Sequence, residues 1–154
     1  MASEDGFIFV STMQQMHEKP EIKHLLITTA INIRIGRDYQ RVHYPENPDQ
    51  TKAGVGKLVE DGKNKPLTLI EACNKIIHAT RFAFEEEKTA AVKNSKGDEL
   101  KLPYLTPVVH LDGTRWNKSK KKDVPWKAIL DLEAFARTAA VASVGFMWQF
   151  REVK

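Results

Sequence analysis

The chain has 154 residues, of which 42% are hydrophobic and 29% charged, and its net charge is +4. These values exclude a disordered or collagen-like chain, and the length fits a single domain over 1–154. With one cysteine, no intrachain disulfide is possible. No apolar run approaches the roughly 20 residues of a membrane-spanning helix, and the amino terminus is acidic rather than basic. The sequence therefore predicts a soluble, cytoplasmic protein without membrane contact.

Two helices are predicted at the amino-terminal end of the chain. The first covers 4–17 and places Phe7, Val10 and Met13 on one face. The second opens at Pro20, because proline at the first helical position loses no hydrogen bond. Apolar positions of this second helix recur at helical spacing: Ile22, Leu25, Leu26, Thr29, Ala30 and Ile33. Since Ile27, Ile31 and Ile35 widen the stripe, we expect the helix at the centre of the core, although its β-branched residues also suit a strand.

Three arginines follow at helical spacing, namely Arg34, Arg37 and Arg41. They have two interpretations. Positive charge near a helix carboxyl end compensates the helix dipole. Alternatively, the three side chains form a ridge that contacts phosphates.

A long connection with several Pro and Gly residues is predicted over 44–65, with one helical turn around Leu58. The string GVGK over 54–57 lacks the spacing of a phosphate-binding loop, so we assign it no such role. A helix then begins at Thr68, which forms a capping box with Glu71. Its apolar face comprises Leu69, Ala72, Cys73 and Ile76, and its polar face comprises Glu71, Asn74, Lys75 and His78.

Short strands and one more helix are predicted in the second half of the chain. Alternation of residue types at every second position predicts one strand that begins at Arg81 and another that contains Trp126. A turn is predicted between them at 94–98. Pro103 and Pro107 indicate an edge strand or two short strands. The pair Asp112-Gly113 is typical of a hairpin turn, and the lysine-rich segment 117–123 reads as an exposed loop.

A last helix is predicted to begin at Asp131 and to end at Gly145. Its inner stripe is predicted to contain Leu132, Phe135, Ala136, Ala139, Ala140 and Ser143. The expected fold class is therefore α+β, a mainly helical domain with a small antiparallel sheet inserted before the last long helix.

Neither a metal nor a cofactor is predicted from the residue pattern. No two of the five histidines have the close spacing of a zinc motif. Cys73 falls on an apolar helix face, where burial keeps a thiol protonated and inert. We therefore interpret Cys73 as core packing.

The segment CNKIIHA, over 73–79, resembles the RNKIIH-type motif of HEPN domains, small helical proteins common in bacterial defence and toxin–antitoxin systems. The family pattern is an arginine, a polar residue such as asparagine, and a histidine a few residues later. Asn74 and His78 match it, whereas Cys73 stands in the arginine position. The resemblance implies metal-independent RNA cleavage at a dimer interface, with His78 and Asn74 in the catalytic roles.

The resemblance leads to the hypothesis of an HEPN-like defence or stress-response protein that binds RNA or a partner protein as a homodimer. Cleavage could be lost through the missing arginine. The candidate nucleic-acid-binding residues are Arg34, Arg37, Arg41, Lys75, Arg81, Lys120, Lys121 and Lys122. In the alternative interpretation, His78 only serves the carbonyls that end its own helix. The chain would then be a non-enzymatic interaction protein, an immunity or accessory subunit that binds through its lysine loop and the aromatic tail around Trp148.

Overall fold

The computed structural model describes residues 14–88, 92–93, 99–100 and 103–149. Within these residues the α-helices are α1 (Lys19–His43), α2 (Leu69–His78) and α3 (Leu132–Gln149). The strands are β1 (Gly54–Glu60), β2 (Lys63–Thr68), β3 (Arg81–Lys88), β4 (Val92–Lys93), β5 (Glu99–Leu100), β6 (Pro103–Asn117) and β7 (Lys122–Asp131). The first helix predicted from the sequence falls mostly outside the described residues, and the described part, Gln14–Glu18, is a π-helical turn.

A five-stranded antiparallel sheet with the order β2-β1-β7-β6-β3 is the centre of the fold. Helices α2 and α3 pack on one of its faces, and α1 packs across these two helices. Residues of β7 alternate between the helix-covered face and the open face, so that Trp126, Ala128 and Leu130 are buried. The domain is roughly α+β, but the expected mainly helical domain with a small inserted sheet is wrong, because the five-stranded sheet is central and carries the core.

The sequence interpretation missed the hairpin of β1 and β2, which occupies most of the predicted connection. Its turn is Asp61-Gly62, and both residues have positive φ angles, of 53° and 73°. This backbone is typical of a tight hairpin turn. The predicted helical turn around Leu58 is wrong, because a register shift near Gly56 interrupts the alternation by which a strand is recognised.

The predicted hairpin turn at Asp112-Gly113 is also wrong. Both residues lie inside β6, and Gly113 pairs with Trp126 of β7. A Cβ atom on Gly113 would lie 2.2 Å from the Trp126 ring, so glycine is required here for close packing rather than for a turn. The real turn between β6 and β7 lies in the lysine-rich loop, where Lys121 has a φ of 48°.

Helix α1 is confirmed as a helix, but its predicted position at the centre of the core is wrong. Only Leu26, Ala30, Ile33 and Gln40 are buried. Ile31 and Ile35, which were predicted to widen the stripe, are exposed on the outward side, as are Leu25 and Val42, whereas Ile27 packs against the core. The helix is therefore the outermost layer, and it leaves an apolar face uncovered.

The capping box of α2 is confirmed, because the Thr68 hydroxyl accepts a hydrogen bond from the Glu71 backbone. The Asp131 carboxylate likewise accepts one from the Ala134 backbone at the start of α3. The predicted end of α3 at Gly145 is wrong, since the helix continues to Gln149.

Three positions of the predicted inner stripe of α3, Ala136, Ala140 and Ser143, are exposed. The side chain of Trp148 lies outside the described part of the structure. Among the described helices, none has both the length and the apolar character needed to cross a bilayer.

Candidate functional site: a cationic cleft beside helix α2

A cleft of about 360 Å³ opens where α2 lies over β1, β6 and β7. Its floor includes Leu58 and Trp126, which face the helices from neighbouring strands. Trp126 is only 2% exposed. The walls are polar and carry six ionisable side chains, together with an asparagine amide, so the cleft combines an apolar base with a charged mouth.

An ion network joins the wall of the cleft to the helix. The Lys75 ammonium lies 3.1 Å from the Glu60 carboxylate, and the same oxygen lies 3.1 Å from Nε of Arg115. Lys75 also lies 4.3 Å from the centre of the Trp126 ring, a cation–π distance. Since the side chains of Glu60 and Lys75 are each only 13% exposed, these contacts are shielded from water and hold both groups in place.

The other wall follows from the capping box that starts α2. Glu71 caps the helix and also accepts a hydrogen bond of 2.8 Å from Lys65 of β2. Burial opposes ionisation of Glu71, but the hydrogen bonds from Lys65 and Thr68 outweigh it and lower the pKa of the carboxyl group. The carboxylate is therefore charged at neutral pH and fixes the position of Lys65 at the cleft.

The structure brings together Asn74 and His78, the two residues that match the HEPN-type pattern. They lie one helical turn apart, and both line the cleft. His78 is exposed, and within the described part of the chain its imidazole has no hydrogen-bond partner. The ring is therefore accessible to a ligand from the mouth of the cleft.

The charges of the cleft do not balance. Three cationic side chains, Lys65, Lys75 and Arg115, face two carboxylates, Glu60 and Glu71. One positive charge remains even with a neutral imidazole. Arg115 is the most accessible of these cations, with 57% of its side chain exposed. The cleft is thus suited to an anionic group.

Cys73 points away from the cleft into the core, where it is fully buried. Burial raises the pKa of its thiol to about 12, despite the opposing charge of Arg34. The thiol is therefore protonated at neutral pH and cannot act as a nucleophile. Position 73 therefore faces the core and not the cleft.

The arginines of α1 do not form the predicted ridge at the cleft. Arg34 is half-buried beside α2, and Arg41 is exposed near the end of α1. Arg37 forms an ion pair of 3.0 Å with Asp49, which also caps the turn at Gln50–Lys52. None of the three lines the cleft.

The pair of Arg37 and Asp49 leads to a pH prediction. Burial opposes ionisation of Asp49, but hydrogen bonds from Thr51 and Arg37 outweigh it and lower the pKa of the carboxyl group. A lowered pKa contributes stability above the unfolded value of about 3.9, and this contribution is lost as the pH falls through the folded value. We expect Asp49→Asn to lower the melting temperature at neutral pH and to lower it less at about pH 2. Thermal unfolding followed by circular dichroism tests this, and an equal difference at both pH values would contradict it.

Arg81, one of the predicted nucleic-acid-binding residues, lies on the other face of the sheet. It pairs across β3 and β6 with Asp112, at 3.7 Å between the charged atoms. Its neighbour Phe82 points to the helix-covered face and packs against the core. Because successive side chains of a strand alternate, Arg81 is directed away from the cleft.

The lysine-rich turn lies next to the cleft at the same end of the sheet. Lys120 donates a hydrogen bond of 2.6 Å to Asp61, the residue after Glu60, and this bond lowers the pKa of the Asp61 carboxyl group. Lys122 also lies close enough to act electrostatically on Asp61. Of the predicted nucleic-acid-binding residues, Lys75 therefore lies in the cleft and Lys120 to Lys122 lie beside it.

Sequence analysis missed three charged residues of the cleft, namely Glu60, Lys65 and Arg115. For Glu60 and Arg115 the sequence contained a signal, because each continues the alternation of inward-facing residues along its strand. Glu60 follows Leu58 by two residues, and Arg115 follows Gly113 by two. The hairpin assigned at Asp112-Gly113 and the connection assigned over 44–65 hid this pattern.

Comparison of the chain with protein-family models, with curated proteins and with solved structures gives no match. The geometry of the cleft is therefore the basis for the functional argument.

Proposed function

We propose that the protein binds single-stranded RNA through the cleft beside α2. The observation that carries the proposal is the concave site in which His78, Asn74 and three cationic side chains surround two carboxylates. Backbone phosphates supply the charge that this site lacks. The resemblance of 73–79 to the HEPN motif supports RNA as the ligand and bacterial defence or stress regulation as the setting.

Arg115 is the residue best suited to contact a phosphate. Its contact with Glu60 is made through Nε, and more than half of the side chain is exposed. The terminal amino groups of the guanidinium can therefore donate to phosphate oxygens while Glu60 holds the side chain in position. Lys65 is held in the same way by Glu71, so the cationic groups are positioned before the ligand binds.

The surroundings of the cleft favour a chain of several nucleotides over a small anion. The lysine turn continues the positive charge beyond Asp61. Single-stranded nucleic acid is bound by positively charged grooves that follow its backbone.

We assign binding to the cleft rather than cleavage. Metal-independent cleavage requires one group to remove the proton of the 2′-hydroxyl and another to protonate the leaving oxygen. Among the cleft residues, His78 is the single histidine, the residue type best suited to proton exchange at neutral pH. Glu60 is engaged by Lys75 and Arg115, so no second group is available to exchange protons.

The test is incubation of labelled single-stranded RNA with the protein and with His78→Ala, with a chelator present. We expect a shifted complex with wild type and intact RNA in every lane. Failure of wild type to bind at low salt would overturn the proposal. Cleavage by wild type that disappears in His78→Ala would replace binding with a nuclease function.

A further inference from the structure

The outward face of α1 is apolar and uncovered. With 100° of rotation per residue, Ile35 lies opposite the buried Leu26. Ile31 and Val42 lie on the same side of the helix as Ile35. The exposed fraction is 42% for Ile31, 63% for Ile35 and 74% for Val42. Isolated exposed aliphatic residues are common, but several on one face of one helix mark an interaction surface.

The spacing of this face is that of a helix that packs against another helix. The face contains four residues separated by three, four and seven positions: Thr28, Ile31, Ile35 and Val42. Residues at this heptad spacing form the contact seam of a coiled coil, and three of these four are apolar. We refer to these four residues as the α1 seam.

We propose that the α1 seam pairs with the same seam of a second copy of this chain, antiparallel and about a two-fold axis near Ile35. Asp38 occupies the remaining seam position. A parallel pair in register would place the two Asp38 carboxylates opposite each other, which is unfavourable. The antiparallel pair separates them and puts Asp38 on the side of the partner's Arg34, about two residues or 3 Å away along the axis.

The contact from Thr28 to Val42 is about 21 Å long, since a helix rises 1.5 Å per residue. A single helix pair of this length buries less than the roughly 800 Å² per partner of a standard interface. We therefore expect a dimer that dissociates on dilution. The inference depends on α1 alone and is independent of RNA binding.

The test is sedimentation of wild type and Ile35→Lys over a wide range of concentration. We expect wild type to approach twice its mass of 17.5 kDa and Ile35→Lys to remain monomeric. Ile129→Lys is the matched control, because Ile129 is an exposed isoleucine on the open sheet face and should leave the dimer intact. A monomeric wild type, or a dimeric Ile35→Lys variant, would overturn the proposal.

Cysteine cross-linking tests the orientation. Cys73 is buried and unreactive, so any disulfide that forms must join the introduced cysteines. We expect Ile35→Cys to oxidise to a covalent dimer and Val42→Cys not to, because the antiparallel pair places Val42 opposite Thr28. A disulfide requires Cα atoms within about 7 Å. Efficient cross-linking through Val42→Cys would show a parallel pair and overturn the antiparallel assignment.

Discussion

Gly113→Ala is expected to lower the free energy of unfolding by about 1–3 kcal/mol, the range for overpacking a well-packed core. The added Cβ atom would lie 2.2 Å from the Trp126 ring, well inside contact distance. The ring cannot move aside easily, because it is buried and Lys75 lies over it. The same substitution should disturb the floor of the cleft and weaken ligand binding.

Gly54→Ala is the matched control for this prediction. Gly54 also belongs to a strand, and a Cβ atom there has no heavy atom within 4 Å. Urea unfolding should show a much smaller loss for Gly54→Ala than for Gly113→Ala. In addition, Trp126→Leu should reduce the cost of Gly113→Ala, since neighbouring substitutions are not additive. Equal losses for the two alanine variants would contradict the packing explanation.

Arg115→Ala is expected to weaken binding of single-stranded RNA about tenfold at low salt, because a charge-assisted contact to phosphate is lost. The slope of log affinity against log salt should fall by about 0.7, the value for one phosphate contact on a single strand. Fluorescence anisotropy with a labelled oligonucleotide measures both quantities.

Arg137→Ala controls for the loss of one positive charge. Arg137 is exposed on α3 and pairs with Glu133 at 2.6 Å, on an element that does not line the cleft. Its replacement should leave the affinity for RNA within about twofold of wild type, because salt screens the interaction between a distant surface charge and the RNA. If both arginine variants weaken binding equally, the contact is non-specific and the cleft is not its site.

Local patterns in the sequence predicted the elements that depend on nearby residues. The capping box of Thr68 and Glu71 fixes the start of α2, and the apolar and polar faces of that helix follow from its period. The same reasoning correctly placed Asn74, Lys75 and His78 on one polar face. These features need only residues within one or two helical turns.

The fold and most of the cleft depend on contacts between distant residues. From the sequence alone, Gly113 indicates a turn. Only the pairing of β7 with β6, which places Trp126 over Gly113, shows that this glycine lies inside a strand. Likewise, α1 reads as a core helix because its outward isoleucines cannot be distinguished from its inward ones by composition. Glu60 and Arg115 meet only across the sheet, so no local motif predicts their pairing with Lys75.

The most direct measurement of the central claim is a two-dimensional amide NMR titration of the protein with a short single-stranded RNA. We predict that the largest shift changes fall on Asn74, Lys75, His78 and Arg115 and on the indole of Trp126, with smaller ones on the lysine turn. Shift changes confined to other surfaces, or none at low salt, would contradict the assignment of the cleft as an RNA site.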